Sequence, residues 1–352
     1  MKKNTPLKAI TYTAINKVEV REYALGEVDP TDIVVRTRYT MVSSGTELRV
    51  LGGHYGAKDK YPLVPGYSSV GEVVQVGPQA TGFRVGDRVS CRNPRPLPGV
   101  NSMWGGQAGL QVQTTAGEDR PVLLPAGANL MDYVTAEVSA ISLRGVIAAD
   151  PKPGETAVVL GQGLIGAFSA AWLNARGCRV IVADLEDGRL ERARKWAAAT
   201  VKVSEPDAEA RLQALCNGGA DIVVEGSGSP QGALLAYKLI RRKPQNYSKE
   251  YKVEPIQFYH GDWPRLVMQA NYIAPVTIDP FGFFPGEGVT ILAPKDRGVE
   301  DRQRAVEQFR RGTLKAADFV QNVAPARDAA AAYAALRDDK NNNFSLVFDW
   351  EA

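Results

Sequence analysis

The chain has 352 residues, enough for two domains that each bury a core. Hydrophobic residues make up 44% and charged residues 23%, which excludes a disordered or fibrous protein. The net charge of +3 is small and its Lys and Arg residues are dispersed, so no nucleic-acid partner is expected; no apolar run approaches the roughly 20 residues of a bilayer span, so neither is a membrane one.

Segments 11–23 and 33–42 alternate apolar and polar residues, as half-buried antiparallel strands do. Stretches 67–76, 85–91, 109–115 and 121–124 continue this pattern between glycine turns, so residues 1–150 are expected to form a twisted, partly barrelled antiparallel domain. A long helix is predicted over 133–149. The Pro151-Lys152-Pro153-Gly154 cluster then marks the domain junction.

From residue 155 strand and helix alternate. Strands are predicted at 158–160, 180–183, 200–203 and 221–225, with helices at 164–176, 188–199 and 207–216. Apolar strands separated by helices indicate a doubly wound parallel sheet, here over 151–295. Segment 238–287 breaks the rhythm with Pro, Tyr and Trp, and is expected to form a lid, a dimer surface or a substrate wall. A strand at 289–293, helices at 299–312 and 328–337 and a strand at 344–350 complete the chain, with 296–352 returning to the first domain. The three cysteines (Cys91, Cys178, Cys216) form neither a metal pattern nor a disulfide framework, and the first residues lack a signal-peptide core, so the cytoplasm is expected.

The run Gly161-Gln162-Gly163-Leu164-Ile165-Gly166 lies between a buried strand and a helix. Asp184 closes the next strand. This is the fingerprint of a dinucleotide-binding βαβ unit. Gly161 permits the tight turn, Gly163 lets the backbone approach a pyrophosphate, and Gly166 lets helix and strand pack closely. Leu164 and Ile165 open the helix whose N-terminal N–H groups face the phosphates. Asp184 would accept hydrogen bonds from the adenosine ribose and repel a 2′-phosphate, favouring NAD over NADP. Gly226 and Ser227, after the fourth strand, are further cofactor candidates.

An all-β region before a mid-chain dinucleotide fold resembles the medium-chain dehydrogenase/reductase superfamily. Ser44-Gly45-Thr46-Glu47 is similar to that family's Cys-Gly-Thr/Ser-Asp/Glu turn, and Pro62 to Val73 to its Pro-x-x-x-Gly-His-Glu-x-x-Gly-x-Val segment. Gly86-Asp87-Arg88-Val89 resembles the strand that follows. The resemblance implies a GroES-like domain joined to a Rossmann domain. Glu137 falls where zinc-dependent members carry an acid near the metal. Ser44, Tyr67 and Ser68 stand where those members have a thiolate, an imidazole and an acid, so the resemblance implies a zinc-independent member. The wording around Ser44 and Tyr67 is similar to a bacteriochlorophyllide-dehydrogenase-like and sugar-pathway branch.

Without a metal, an alkoxide must be stabilised by hydrogen-bond donors or by proton transfer. The catalytic candidates are Thr46, as the start of a proton relay, Tyr67, whose phenol a nearby cation would acidify, Glu137, as a buried base, and His260. Thr46 and Ser44 equally suit a helix cap. Ser44, Arg49, His54, Trp104 and Trp263 are candidates for holding substrate. The expected activity is NAD-dependent interconversion of a secondary alcohol and a ketone on a sugar, cyclitol or related metabolite, by net or transient oxidation. The alternatives are a quinone, enone or tetrapyrrole side-chain reductase and a non-catalytic NAD sensor. Family members commonly pair through nucleotide-domain sheet edges, so a homodimer through 288–294 is expected.

Overall fold

A computed structural model describes residues 4–241, 263–272, 274–277, 288–295 and 297–352. The chain divides into two compact units: Met1–Ile141 with Asp296–Ala352, and Ser142–Lys295. The division falls inside the helix Ala136–Ala149 rather than at the Pro/Gly cluster. The reason is local: Ser142 donates to the Ile165 carbonyl at 2.9 Å, and Gly145 lies against Gln269 and Val267, all within the second unit.

The first unit holds a seven-stranded and a four-stranded sheet. The predicted strand at 11–23 is two strands, Pro6–Ala14 and Lys17–Ala24, because Asn16 takes a left-handed φ of 57° and turns the chain back with Ala14 opposite Lys17. The strand Asp32–Met41 is the spine of the larger sheet, pairing antiparallel with Ser69–Val76, Leu110–Thr114 and the late strand Leu346–Asp349. The C-terminal segment is thus woven into the first sheet. One core gathers Ile10, Tyr12, Val50 and Leu51 with Tyr333, Leu336 and Phe348, so the helices Ser44–Leu51 and Ala329–Asp338 share a buried interface. The helix predicted at 133–149 begins only at Ala136, after a 3-10 turn at Leu130–Tyr133.

The second unit is a Rossmann-type fold. Six parallel strands run in the order Ala199–Lys202, Arg179–Asp184, Thr156–Leu160, Ile222–Glu225, Arg265–Met268, Thr290–Leu292. The order reverses between Thr156–Leu160 and Ile222–Glu225, and ligands of such sheets bind at the carboxyl ends of the strands beside that reversal. Val158, Leu160, Ile181, Ala183, Val223 and Leu266 are buried at the centre of its core. The strand Arg265–Met268 was not expected; most of segment 238–287 lies outside the described residues.

Candidate active site

The glycine turn sits at the reversal point of the sheet. Gly161 has a φ of 83°, and a Cβ there would lie 2.8 Å from the backbone of Ser227. A Cβ on Gly166 would fall 1.7 Å from the Gly161 carbonyl, so only glycine lets the helix Leu164–Ala175 start this close to the strand. Gly163 is the N-cap of that helix. It carries no capping side chain and has open space around it, so the first N–H groups remain available to an anion. Asp184 is buried at the strand tip and accepts backbone N–H bonds from Gln162 and, at 2.9 Å, from Glu186. These bonds tie the acid to the glycine turn. Gly226 packs against Leu160 and Gly166, and Ser227 donates its backbone N–H to Glu225 at 2.9 Å. The arrangement fits a dinucleotide: Leu164 and Ile165 open the helix, and Asp184 stands where an adenosine ribose would reach it.

In the first unit a second cluster forms around Tyr67. Its hydroxyl donates to Ser43 Oγ at 2.5 Å and also bonds the Thr46 hydroxyl. The ring packs edge-on against Trp104, with centroids 5.3 Å apart and planes at 75°. Trp104 takes a left-handed φ of 75°, a conformation costing roughly 1–3 kcal/mol for a bulky residue. Ser43, not Ser44 or Thr46, is the N-cap of Ser44–Leu51, yet its hydroxyl makes no capping bond and is given to Tyr67 instead. The expected acidification of Tyr67 is reversed. Burial pushes the phenol up to about 12, hydrogen bonds with Ser43 and Thr46 offset part of this, and the charges of Glu137 and Glu47 add to the rise.

Two carboxylates lie behind this cluster. Glu47 is fully buried. It accepts the Ser43 backbone N–H at 2.9 Å, the Gln107 side-chain N–H at 3.2 Å and the Tyr333 hydroxyl at 2.5 Å. Burial raises its carboxyl from 4.5 to about 7, against the three hydrogen bonds that favour the charged form. Glu137 is also buried, but Arg92 lies 3.1 Å from one oxygen and Arg302 3.1 Å from the other. Arg302, itself fully buried, also donates to the carbonyls of Ser90, Glu118 and Arg120. The expectation of Glu137 as a free base is corrected: both oxygens are committed to arginines, and Arg302 joins its helix to Val299–Arg310.

The remaining candidates are scattered. Ser44 is half-buried inside the helix. His54 is exposed in the turn beyond it, and Arg49 donates to the exposed Tyr55 hydroxyl at 3.0 Å. Trp263 is 42% exposed and precedes Arg265–Met268, at the amino end of that strand. This is the edge opposite to the one where such sheets bind ligands, so its expected place in a substrate pocket is corrected; its ring instead packs on Gly288. His260 lies outside the described residues. Ser43, Gln107 and Tyr333 were missed. The one sequence signal for Tyr333 is its hydroxyl in the middle of the otherwise apolar Ala-rich face of Ala329–Asp338.

Residues 29–125 match the family model described as alcohol dehydrogenase GroES-like domain, and residues 165–244 the one described as zinc-binding dehydrogenase. The chain belongs to the medium-chain dehydrogenase/reductase superfamily. It is 27% identical over 322 residues to a 2-dehydro-3-deoxy-L-galactonate 5-dehydrogenase of Pseudoalteromonas atlantica, covering 86% of this chain and 87% of that protein. It is 29% identical over 248 residues to a probable D-xylulose reductase A of Aspergillus clavatus, covering 61% and 67%. In fold it is similar to a short chain alcohol dehydrogenase from Escherichia coli CFT073 complexed with cofactor NADH, at a TM-score of 0.81 and 18% identity over 98% of this chain and 99% of that one. The residues at the family's metal positions do not suit zinc. Ser44 and Ser68 are neutral hydroxyls, and Ser68 donates to the Val134 carbonyl at 3.2 Å. Tyr67 is held as a phenol whose proton is already given to Ser43. Among the described residues, no group of three His, Cys, Asp or Glu side chains is gathered to hold a metal, and no helix is long and apolar enough to cross a membrane.

Proposed function

We propose that this chain is a zinc-independent, NAD-dependent oxidoreductase that interconverts a secondary alcohol and a ketone on a sugar, cyclitol or related polyhydroxylated metabolite. The observation that carries the proposal is the cluster of Tyr67, Ser43 and Thr46 hydroxyls, which sets a hydrogen-bonded phenol at the position where zinc-dependent members have an imidazole. Bound NAD would supply the hydride acceptor. Gly161, Gly163 and Gly166 would hold its pyrophosphate, with Gly226 and Ser227 beside them, and Asp184 its ribose, which favours NAD over NADP. Thr46, the half-buried member of the cluster, would meet the substrate hydroxyl and pass on its proton. Tyr67, neutral throughout the working pH range, would stabilise alkoxide character by turning its single O–H from Ser43 to the substrate oxygen. Trp104 beside Tyr67 would offer an aromatic wall to a ring substrate.

The names of the sequence relatives, a sugar-acid dehydrogenase and a pentulose reductase, support this substrate class. We further propose a cytoplasmic homodimer paired through Thr290–Leu292. This strand ends the six-stranded sheet, and its Ile291 is 48% exposed. The test is a panel of polyols, sugars and cyclitols with NAD or NADP, read by the absorbance of the reduced nicotinamide, alongside product analysis without added cofactor. Turnover with NAD on a polyhydroxylated secondary alcohol supports the proposal. Turnover confined to quinones or enones, or none despite measured NAD binding, refutes it.

A further inference from the structure

We propose that Glu47 is the positioning residue of the Tyr67 hydroxyl, acting through Ser43, and that its charge state governs how that hydroxyl is held. The inference rests on the proposed function only in giving Tyr67 a substrate to meet.

The geometry is a chain of hydrogen bonds. Ser43 caps a helix without using its hydroxyl for the cap, which frees Oγ to accept from Tyr67 at 2.5 Å. The Ser43 carbonyl accepts the backbone N–H groups of Thr46 at 3.0 Å and Glu47 at 2.8 Å, and its own backbone N–H is donated to the Glu47 side chain, Oε1, at 2.9 Å. Glu47 Oε2 takes the Tyr333 hydroxyl at 2.5 Å and the Gln107 amide at 3.2 Å. The Gln107 side-chain oxygen Oε1 accepts from Thr40 at 2.6 Å, and Thr40 Oγ1 accepts the Trp350 indole N–H at 3.1 Å. One carboxyl group therefore joins the central strand, the first helix, the loop before Leu110–Thr114, the last helix and the C-terminal end.

No cation takes part. Among the described residues no lysine, arginine or histidine pairs with Glu47, although it is fully buried. The titratable groups facing it are Tyr12 from the first strand, Tyr67 from the segment before Ser69–Val76 and Tyr333 from the last helix, and burial pushes all three phenols upward. Glu137, which also acts on Tyr67, is itself paired with two arginines. An ionised Glu47 can accept from all three of its donors. A protonated one must use one oxygen as a donor, so at least one partner loses part of its acceptor. Ser43 is one of those partners, and the Tyr67 hydroxyl is held by Ser43 and by Thr46 in the same turn. Glu47 exchanges its proton near neutrality because burial opposes its charge, so both arrangements are reached under ordinary conditions.

The test uses the whole chain with tyrosine labelled at Cζ, the Tyr67 resonance being assigned by its loss in Tyr67→Phe. In the wild type the resonance is expected to shift with pH about a midpoint near 7. Glu47→Gln should abolish the shift. Tyr333→Phe, which removes a donor favouring the carboxylate, should keep the shift and raise its midpoint; it also serves if Glu47→Gln fails to fold. A Tyr67 resonance that ignores pH in the wild type, a titration that survives Glu47→Gln, or an unmoved midpoint in Tyr333→Phe would each overturn the proposal. The measurement needs neither substrate nor cofactor. Failure on the polyol panel would therefore remove the proposed function and leave this result standing, and the reverse holds too.

Discussion

Glu137 and Glu47 are both buried glutamates in the same unit, and they solve burial in opposite ways. Glu137 is clamped between Arg92 and the fully buried Arg302. Glu47 has only an amide, a phenol and a backbone N–H. A carboxylate between two guanidinium groups is part of the scaffold, because removing it strands a cation. A carboxyl group held by neutral donors can lose or gain a proton without stranding a buried charge, which leaves it free to act as a switch. The difference teaches that depth alone does not mark a functional acid; the partner's charge does.

The largest effect should come from Glu137→Ala. It leaves Arg302 buried without its carboxylate, and a loss of about 3–5 kcal/mol is expected in urea unfolding of the first unit. A loss under about 1 kcal/mol would show that the pair is not a scaffold element. Next is Tyr67→Phe, which removes one hydroxyl from the cluster. A drop in kcat of roughly a hundredfold with the KM for NAD unchanged is expected, about 2.7 kcal/mol of transition-state stabilisation. An equal rise in both KM values would point to disrupted folding instead.

Glu47 makes a prediction of opposite character, in pH rather than in magnitude. Its carboxyl lies higher in the folded chain, about 7 against 4.5, so the folded state holds the proton more tightly. That contribution to stability is complete below about 4.5 and is lost as pH rises through 7. Glu47→Gln should flatten this slope, by on the order of 1–3 kcal/mol between the ends of the window. Unchanged slopes would mean that Glu47 is ionised throughout. The smallest effect is outside the comparison and serves as its control. Asp184→Asn removes charge from the ribose end of the cofactor cradle and should shift preference toward NADP by roughly tenfold, or about 1.4 kcal/mol, without touching either glutamate. Isothermal titration with both cofactors reads it directly.

What was legible in the sequence follows from distance along the chain. The cofactor cradle is local: strand, glycine turn, helix, strand and acid follow one another, and the steric role of each glycine follows from its place in that order. The Tyr67 cluster was half legible, since Thr46 and Tyr67 stand at recognisable family positions. The neighbouring Ser43 was passed over because a serine one residue away matched the pattern better. The Glu47 network was not legible. Tyr333 reaches it across 286 positions and Gln107 across 60, and no periodicity links such residues. Glu137 was misjudged for the same reason, its buried partner Arg302 lying in a late amphipathic helix that reads as a solvated surface. Trp263 was misplaced because the strand Arg265–Met268 that follows it lies inside segment 238–287, whose Pro, Tyr and Trp residues break the strand–helix rhythm.

The most direct test of the central claim is turnover measured together with metal content. The chain, treated with a strong chelator and shown by elemental analysis to hold no stoichiometric zinc, should oxidise a polyhydroxylated secondary alcohol with NAD at an undiminished rate. Loss of turnover on chelation, restored by one equivalent of zinc, would contradict it.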